Sequence, residues 1–147
     1  MEELILGFDY TIWGNRQWVE ILDRFPNPAR AEEILRHMSD WQRRWLQRAS
    51  VHIIGDDVDL LHGLPVGEAL IQGSRDWQSF LLVHADQDVA FTRDDGVDHV
   101  TPLHCIAQQL VFHSAYHRGQ LRGLAEEQGV TDFPDTDWFY FCNDPDR

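Results

Sequence analysis

From Thr101-Pro102 to Gly129 the chain runs without an internal proline, and its apolar side chains return every three or four positions at Ile106, Leu110, Leu121 and Leu124. That spacing gathers them on one face of a helix but scatters them over both faces of a strand, so the segment predicts a helix. A hydroxyl residue followed by proline marks the start, with Thr101 as cap and Pro102 at the first helical position. Gly129 supplies the stop after about Gln128. A helix this long, rising about 1.5 Å per residue, cannot cover its own apolar stripe; other helices of similar length must do so.

Three such partners can be read upstream. The first runs from about Leu4 to Arg24, with Phe8, Ile12, Val19 and Leu22 at helical spacing, and the turn FPNP at 25–28 stops it. The second covers about Ala29 to Ser50; Ile34, Met38, Trp41 and Trp45 step by three and four, and His37 stands on the border of that stripe. GDDVDLLHGLP is polar, broken by glycine and predicted to be a loop. Pro65 then opens a third helix at its first turn, continuing to about Val83 with Leu70, Trp77 and Leu81. Alternation in Val89–Thr92 and Val97–Val100 around Asp95-Gly96 predicts a short hairpin, a lid on the helices and not a larger sheet. The aromatic tail PDTDWFYFCNDPDR is expected to pack at least in part. The expected class is all-α: a four-helix bundle with a short β-hairpin or extended segment before the last long helix. A length of 147 residues fits one domain over 1–147, with no linker or internal repeat to divide it.

Charge narrows the partners. With 25 acidic residues against 12 basic ones, the formal net charge is −13, which repels nucleic-acid backbones and anionic membranes. Arg43, Arg44 and Arg48 form one small basic cluster, read as a solvated helix face. Two cysteines, Cys105 and Cys142, cannot build a disulfide framework and suit a reducing compartment. No basic leader with a long apolar run and no membrane-length apolar stretch is evident, so a cytoplasmic location is expected. Trp13 and Trp18 on the first helix are expected to be exposed and to seek cover in a homodimer.

The residues that carry chemistry sit within the apolar stripe of the last helix. His113 and His117 are four apart, which stacks them on one face beside Ile106, Leu110, Leu121 and Leu124, pointing inward. Two imidazoles so placed can converge on one ion at the ~2.0–2.1 Å that ligation requires. Hydrogen bonds to carbonyls would satisfy them equally well, and the spacing alone leaves both readings open. His37, on another helix, is the natural third ligand. His52, His62, His84 and His99 fall in loops or helix ends, His104 steps off the ligand face, and Cys105 is read as packing.

HSAYHRGQL (113–121) resembles the H-x-x-H/Y-HRGQ signature of the DinB/YfiT-like superfamily of helical metalloenzymes. YTIWGNRQW (10–18), ILRHMSDWQRRWL (34–46) and PDTDWFYF (134–141) fall in the order expected of that superfamily, so the likeness spans nearly the whole chain. The resemblance implies His37, His113 and His117 as ligands of one divalent metal, zinc or nickel, leaving a position open for water or a thiol substrate. One departure is Gln109, where many relatives carry a further histidine. Gly119 would allow close helix approach, and Gln120 or Asn15 would orient a ligand or bound water. Some relatives use a low-molecular-weight thiol as cofactor, implying a thiol-dependent S-transferase or related small-molecule enzyme. An anionic thiol would need a local arginine such as Arg118 or Arg44. The rival reading is a non-catalytic, metal-stabilised helical bundle acting as a binding or stress-response protein.

Overall fold

The computed structural model describes residues 1–56 and 63–147. Its helices are α1 (Glu2–Glu20), α2 (Ala29–Ile54), α3 (Val66–His84), α4 (Leu103–Glu127) and a short α5 (Trp138–Asn143). Between α3 and α4 lies an antiparallel hairpin of β1 (Asp88–Thr92) and β2 (Asp98–Pro102). The protein is therefore predominantly helical, with one small two-stranded sheet among the described residues. Most of the predicted loop, His62 included, lies outside the described residues. No helix among the described residues is long and apolar enough to cross a membrane.

Helix ends differ from expectation where local chemistry offers an alternative. The α-helical part of the first segment stops at Glu20, and a single 3-10 turn (Leu22–Arg24) follows, with Arg24 N–H donating to the Ile21 carbonyl at 2.9 Å. Tightening the last turn this way satisfies carbonyls ahead of Pro26. Helix α2 runs one turn past Ser50, to Gly55, whose φ of 71° is the left-handed conformation of a helix stop. Pro65 occupies the cap of α3 and not its first helical position. At α4 the predicted cap fails. Thr101 and Pro102 belong to β2, Thr101 pairing with Val89, and no side chain caps the helix. Instead Leu103 N–H donates to the Gln87 carbonyl at 2.9 Å, so a backbone group at the hairpin's entrance meets a donor of the first turn. At the other end Gly129 (φ 71°) stops the helix as predicted, with Val130 N–H returning to the Ala125 carbonyl.

Helix α1 packs on α3 and α4, and α2 packs on the same two. The core falls into two apolar clusters. Phe8, Leu46, Trp77, Leu81, Leu103 and Leu110 belong to one; Trp18, Leu35, Met38, Leu70, Leu121 and Val130 belong to the other. In chain order α1 and α4 pass from the first to the second, whereas α2 and α3 pass the opposite way. Between the clusters every long helix carries buried polar residues: Thr11 and Asn15, Ser39 and Gln42, Ser74, then Ser114 and His117-Arg118. Several are paired across helices. Gln42 Nε2 donates to Ser74 Oγ at 3.0 Å, Trp77 Nε1 to the Gln42 carbonyl at 3.0 Å, and Arg118 Nη1 to Asn15 Oδ1 at 3.2 Å.

The hairpin lies against the helices through β1, whose Val89 is buried and whose Phe91 meets Trp45 edge-on at 4.9 Å. The tail packs as expected in part: Phe141 is buried, whereas Phe139 stands 70% exposed. It also overturns the expectation for Trp13 and Trp18. Trp18 is 1% exposed, with Nε1 donating to Thr136 Oγ1 and its ring stacked on Phe133. Trp13 Nε1 donates to Asp144 Oδ2 at 2.6 Å. Both indoles are covered by their own chain, so they supply no reason for a second copy. Cys105, expected to pack, is exposed, one helical step off the buried Ile106.

Close helix approach is achieved by glycines, but not by Gly119, which has open space where a Cβ would project. A Cβ on Gly67 would lie 2.6 Å from Val19 Cγ1 and one on Gly14 2.7 Å from Arg118 Nε. Val19 is β-branched and stiff, so α1 and α3 must separate to admit it. Gly67→Ala is expected to destabilise the protein by about 1–3 kcal/mol. Gly123→Ala, in open space on α4, should stabilise it by about 0.5–1 kcal/mol. Urea denaturation of the two variants checks this opposition of sign.

Candidate metal centre

Helices α2 and α4 are neighbours, and their facing edges bring His37, His113 and His117 together. On α4 the predicted stripe is largely buried at Ile106, Leu110, His117 and Leu121, with His113 and Leu124 at its half-buried flank. On α2 Met38 is buried and His37, one residue before it, is turned to the exposed border. Of the two histidines expected to point inward, His117 does and His113 is only half-buried, while His37 stands on the border where its place beside the stripe put it. The cluster sits where the interior opens to solvent, graded from His117 at 9% exposure to an exposed His37.

The three rings approach through their Nε2 atoms. His113 Nε2 lies 3.2 Å from His37 Nε2 and 3.0 Å from His117 Nε2, and one ligand atom from each residue falls within 4.8 Å of the others. Their planes are inclined by 46° to 74°, so the nitrogens converge without the rings stacking on one another. Four nitrogens held tetrahedrally at ~2.0–2.1 Å would be about 3.3 Å apart. Two of the three edges are close to that length and the third lies within 4.8 Å, so the three residues are close enough to hold one ion. Among the described residues no cysteine, carboxylate or further histidine joins the group, leaving room for a ligand that is not a side chain of those residues.

Protonation favours the same arrangement. The Gln120 side-chain oxygen Oε1 lies 2.7 Å from His117 Nδ1, and an oxygen there accepts a hydrogen bond, which fits the tautomer with its proton on Nδ1. In the neutral ring Nε2 is then a bare lone pair aimed into the cluster. Desolvation holds His113 down from 6.5 to about 4, aided by the neighbouring His117 and His37. Desolvation also lowers His117, against the opposing hydrogen bond to Gln120 and with help from His37. Both rings of α4 are therefore uncharged near neutral pH, the state in which imidazole binds a metal.

Two aromatic residues frame the cluster. Trp41 stacks beside His113 at 5.5 Å and beside His37 at 6.0 Å. Tyr116, 65% exposed, meets His117 edge-on at 5.1 Å. Neither was singled out as a site residue from sequence, although Trp41 follows His37 by four and so shares its face; it was read as core and is half-buried.

The remaining candidates go elsewhere. Gln120 meets a cluster histidine as expected, whereas Asn15 holds Arg118. Arg118 is 2% exposed, its guanidinium 4.4 Å over the Tyr10 ring, and it cannot receive a ligand from solvent. Burial works against its charge, opposed by Tyr10 and Asp137. Its Nε and Nη2 and the Asn15 Nδ2 find no partner among the described residues. His52 and His104 are exposed, His84 lies beside Phe80, and His99 sits in β2 beside Phe91.

Searches of this chain against models of protein families, curated proteins and solved structures find no significant match.

The depressed His113 value has a signed consequence. An unfolded histidine takes up a proton below 6.5, whereas folded His113 resists until about 4. Its contribution to stability is complete above 6.5 and is lost as pH falls through about 4. The metal-free protein should therefore lose more stability over that interval than His113→Gln, as read from urea midpoints at stepped pH.

Proposed function

We propose that this chain is a metalloprotein of the DinB/YfiT-like type, a four-helix bundle in which His37, His113 and His117 hold one zinc or nickel ion for an enzymatic reaction. The convergence of three Nε2 atoms at 3.0 and 3.2 Å, with an exposed ring on one side, is the observation that carries this reading. The HSAYHRGQL motif supports it, because its two histidines and its glutamine meet in one cluster. A divalent ion held there would act as a Lewis acid, lowering the pKa of water or of a low-molecular-weight thiol. The chain's own residues do the rest. Gln120 keeps His117 in the Nδ1–H form, burial keeps His113 uncharged, and Trp41 excludes water from one flank. Thiol-dependent transfer to a small molecule is the reaction class that the resemblance implies.

The rival reading is a metal-stabilised, non-catalytic protein. Its support is that the cluster ties α2 to α4, as a structural site would. The exposed border at His37 and the three-residue donor set favour the open, catalytic alternative.

Elemental analysis of protein purified without chelator should return close to one metal per chain. The His37→Ala/His113→Ala/His117→Ala variant should return none while keeping its helical content. A wild type that stays metal-free after reconstitution with zinc and nickel would sink the proposal. Gln120→Ala should weaken metal binding by about 10–100-fold, measured by competition with a chromophoric chelator. Exchange of a thiol at the ion distinguishes the enzyme from the structural rival, which would show none.

A further inference from the structure

Along α2 from the histidines, a cavity of about 580 Å³ opens between that helix and β1, lined by Arg44, Gln47, Arg48, Val51, His52, Ala90 and Phe91. In a chain of net charge −13 this lining is an exception: two arginines and a histidine, with no carboxylate. Arg48 lies 5.0 Å over the face of Trp45. Arg44 and His52 are exposed, and no hydrogen bond or ion pair of either is found among the described residues.

The cavity is collinear with the metal centre. At about 100° per residue, His37, Trp41, Arg44, Arg48 and His52 fall within a band of roughly 80° on α2. At about 1.5 Å per residue, Arg44 stands roughly 10 Å and Arg48 roughly 16 Å along the helix from His37. The side chains between are aromatic and in ring contact with one another. Trp41 stacks beside His37 and His113, Trp41 meets Trp45 at 6.2 Å, and Trp45 meets Phe91 at 4.9 Å. A donor site, an apolar floor and a cationic end thus lie in one line.

We propose that this cavity is the second half of a binding site whose first half is the histidine cluster. It takes the anionic end, a carboxylate or phosphate, of an elongated small molecule whose other end places a donor atom on the metal. Arg44 and Arg48 bind the anion, and Trp41, Trp45 and Phe91 support the apolar middle. The inference rests on the metal reading and adds to it the substrate class. It also reconciles an acidic chain with an anionic ligand, since the local lining, and not the net charge, sets the field at the site.

The test uses cobalt-loaded full-length protein and reads thiolate-to-metal absorption on titration. The probes are 3-mercaptopropionate, 8-mercaptooctanoate, 11-mercaptoundecanoate and the neutral 8-mercaptooctanol. The long carboxylates should bind about ten-fold more tightly than the alcohol, and 3-mercaptopropionate, too short to reach Arg44, should not depend on the arginines. In Arg44→Gln/Arg48→Gln the advantage of the long carboxylates should vanish while cobalt stoichiometry is unchanged. Should the double variant fold poorly, Arg44→Gln alone carries the comparison, because Arg44 is exposed. Equal binding of carboxylate and alcohol, or an advantage that survives the substitutions, would overturn this proposal and leave the metal site standing. A wild type that binds no cobalt would overturn both. Retention of duplex DNA at physiological salt, lost in the double variant, would assign the basic patch to nucleic acid and overturn the small-molecule reading.

Discussion

Each of the four long helices interrupts its apolar stripe near the middle with polar side chains, and much of the structure is organised by the need to pair them. A buried polar group without a partner costs about 1–3 kcal/mol. Sliding one helix past another by a turn would set several of these groups against leucine. The pairs Gln42–Ser74 and Arg118–Asn15 therefore pin the axial register of α2 on α3 and of α4 on α1. The apolar clusters on either side supply driving force but little registry, since leucine and phenylalanine tolerate small shifts. The histidine cluster lies at the edge of the same layer and performs the equivalent task between α2 and α4.

That position explains the character of the site. Deep in either apolar cluster, three imidazoles would be closed to any ligand; on the open surface they would be charged in mild acid and free to rotate. At the edge of the polar layer, burial suppresses protonation of His113 and His117, and Gln120 holds the ring of His117. His37 meanwhile leaves one side accessible. Without an ion, His113 can carry its proton on Nε2 and share it with the two neighbouring Nε2 atoms; with the proton on Nδ1 instead, the three lone pairs face one another. A shared cation answers all three at once.

Local signals were legible where the competing choices were also local. Four helical segments followed from the three-four spacing, the hairpin from period-two alternation around Asp95-Gly96, and the end of α4 from Gly129. The start of α4 was misread because Thr101 carries a cap's chemistry, while cross-strand pairing with Val89 claimed its backbone. Gly119 was misread for a similar reason: a glycine beside a motif looks like a contact, yet the glycines that admit another helix are Gly14 and Gly67. Trp13 and Trp18 looked exposed because their cover, Thr136 and Asp144, lies more than a hundred residues away in sequence.

For the site, the chain alone established that His113 and His117 share a helical face, because four residues make about one turn and no tertiary contact can undo that. It also established an acidic net charge and a helical class. Bringing His37 to that pair required α2 to dock on α4 in one register; Gln120 meets His117 locally, three residues along the same helix, whereas giving Asn15 to Arg118 required α1 to dock on α4. Where the arginines point was equally undecided: Arg118, within the motif, is buried against Tyr10, whereas Arg44 opens to the cavity beside β1. Those outcomes depend on rigid-body placement of helices, which is set by the summed packing of many side chains and is written in no single stretch of residues.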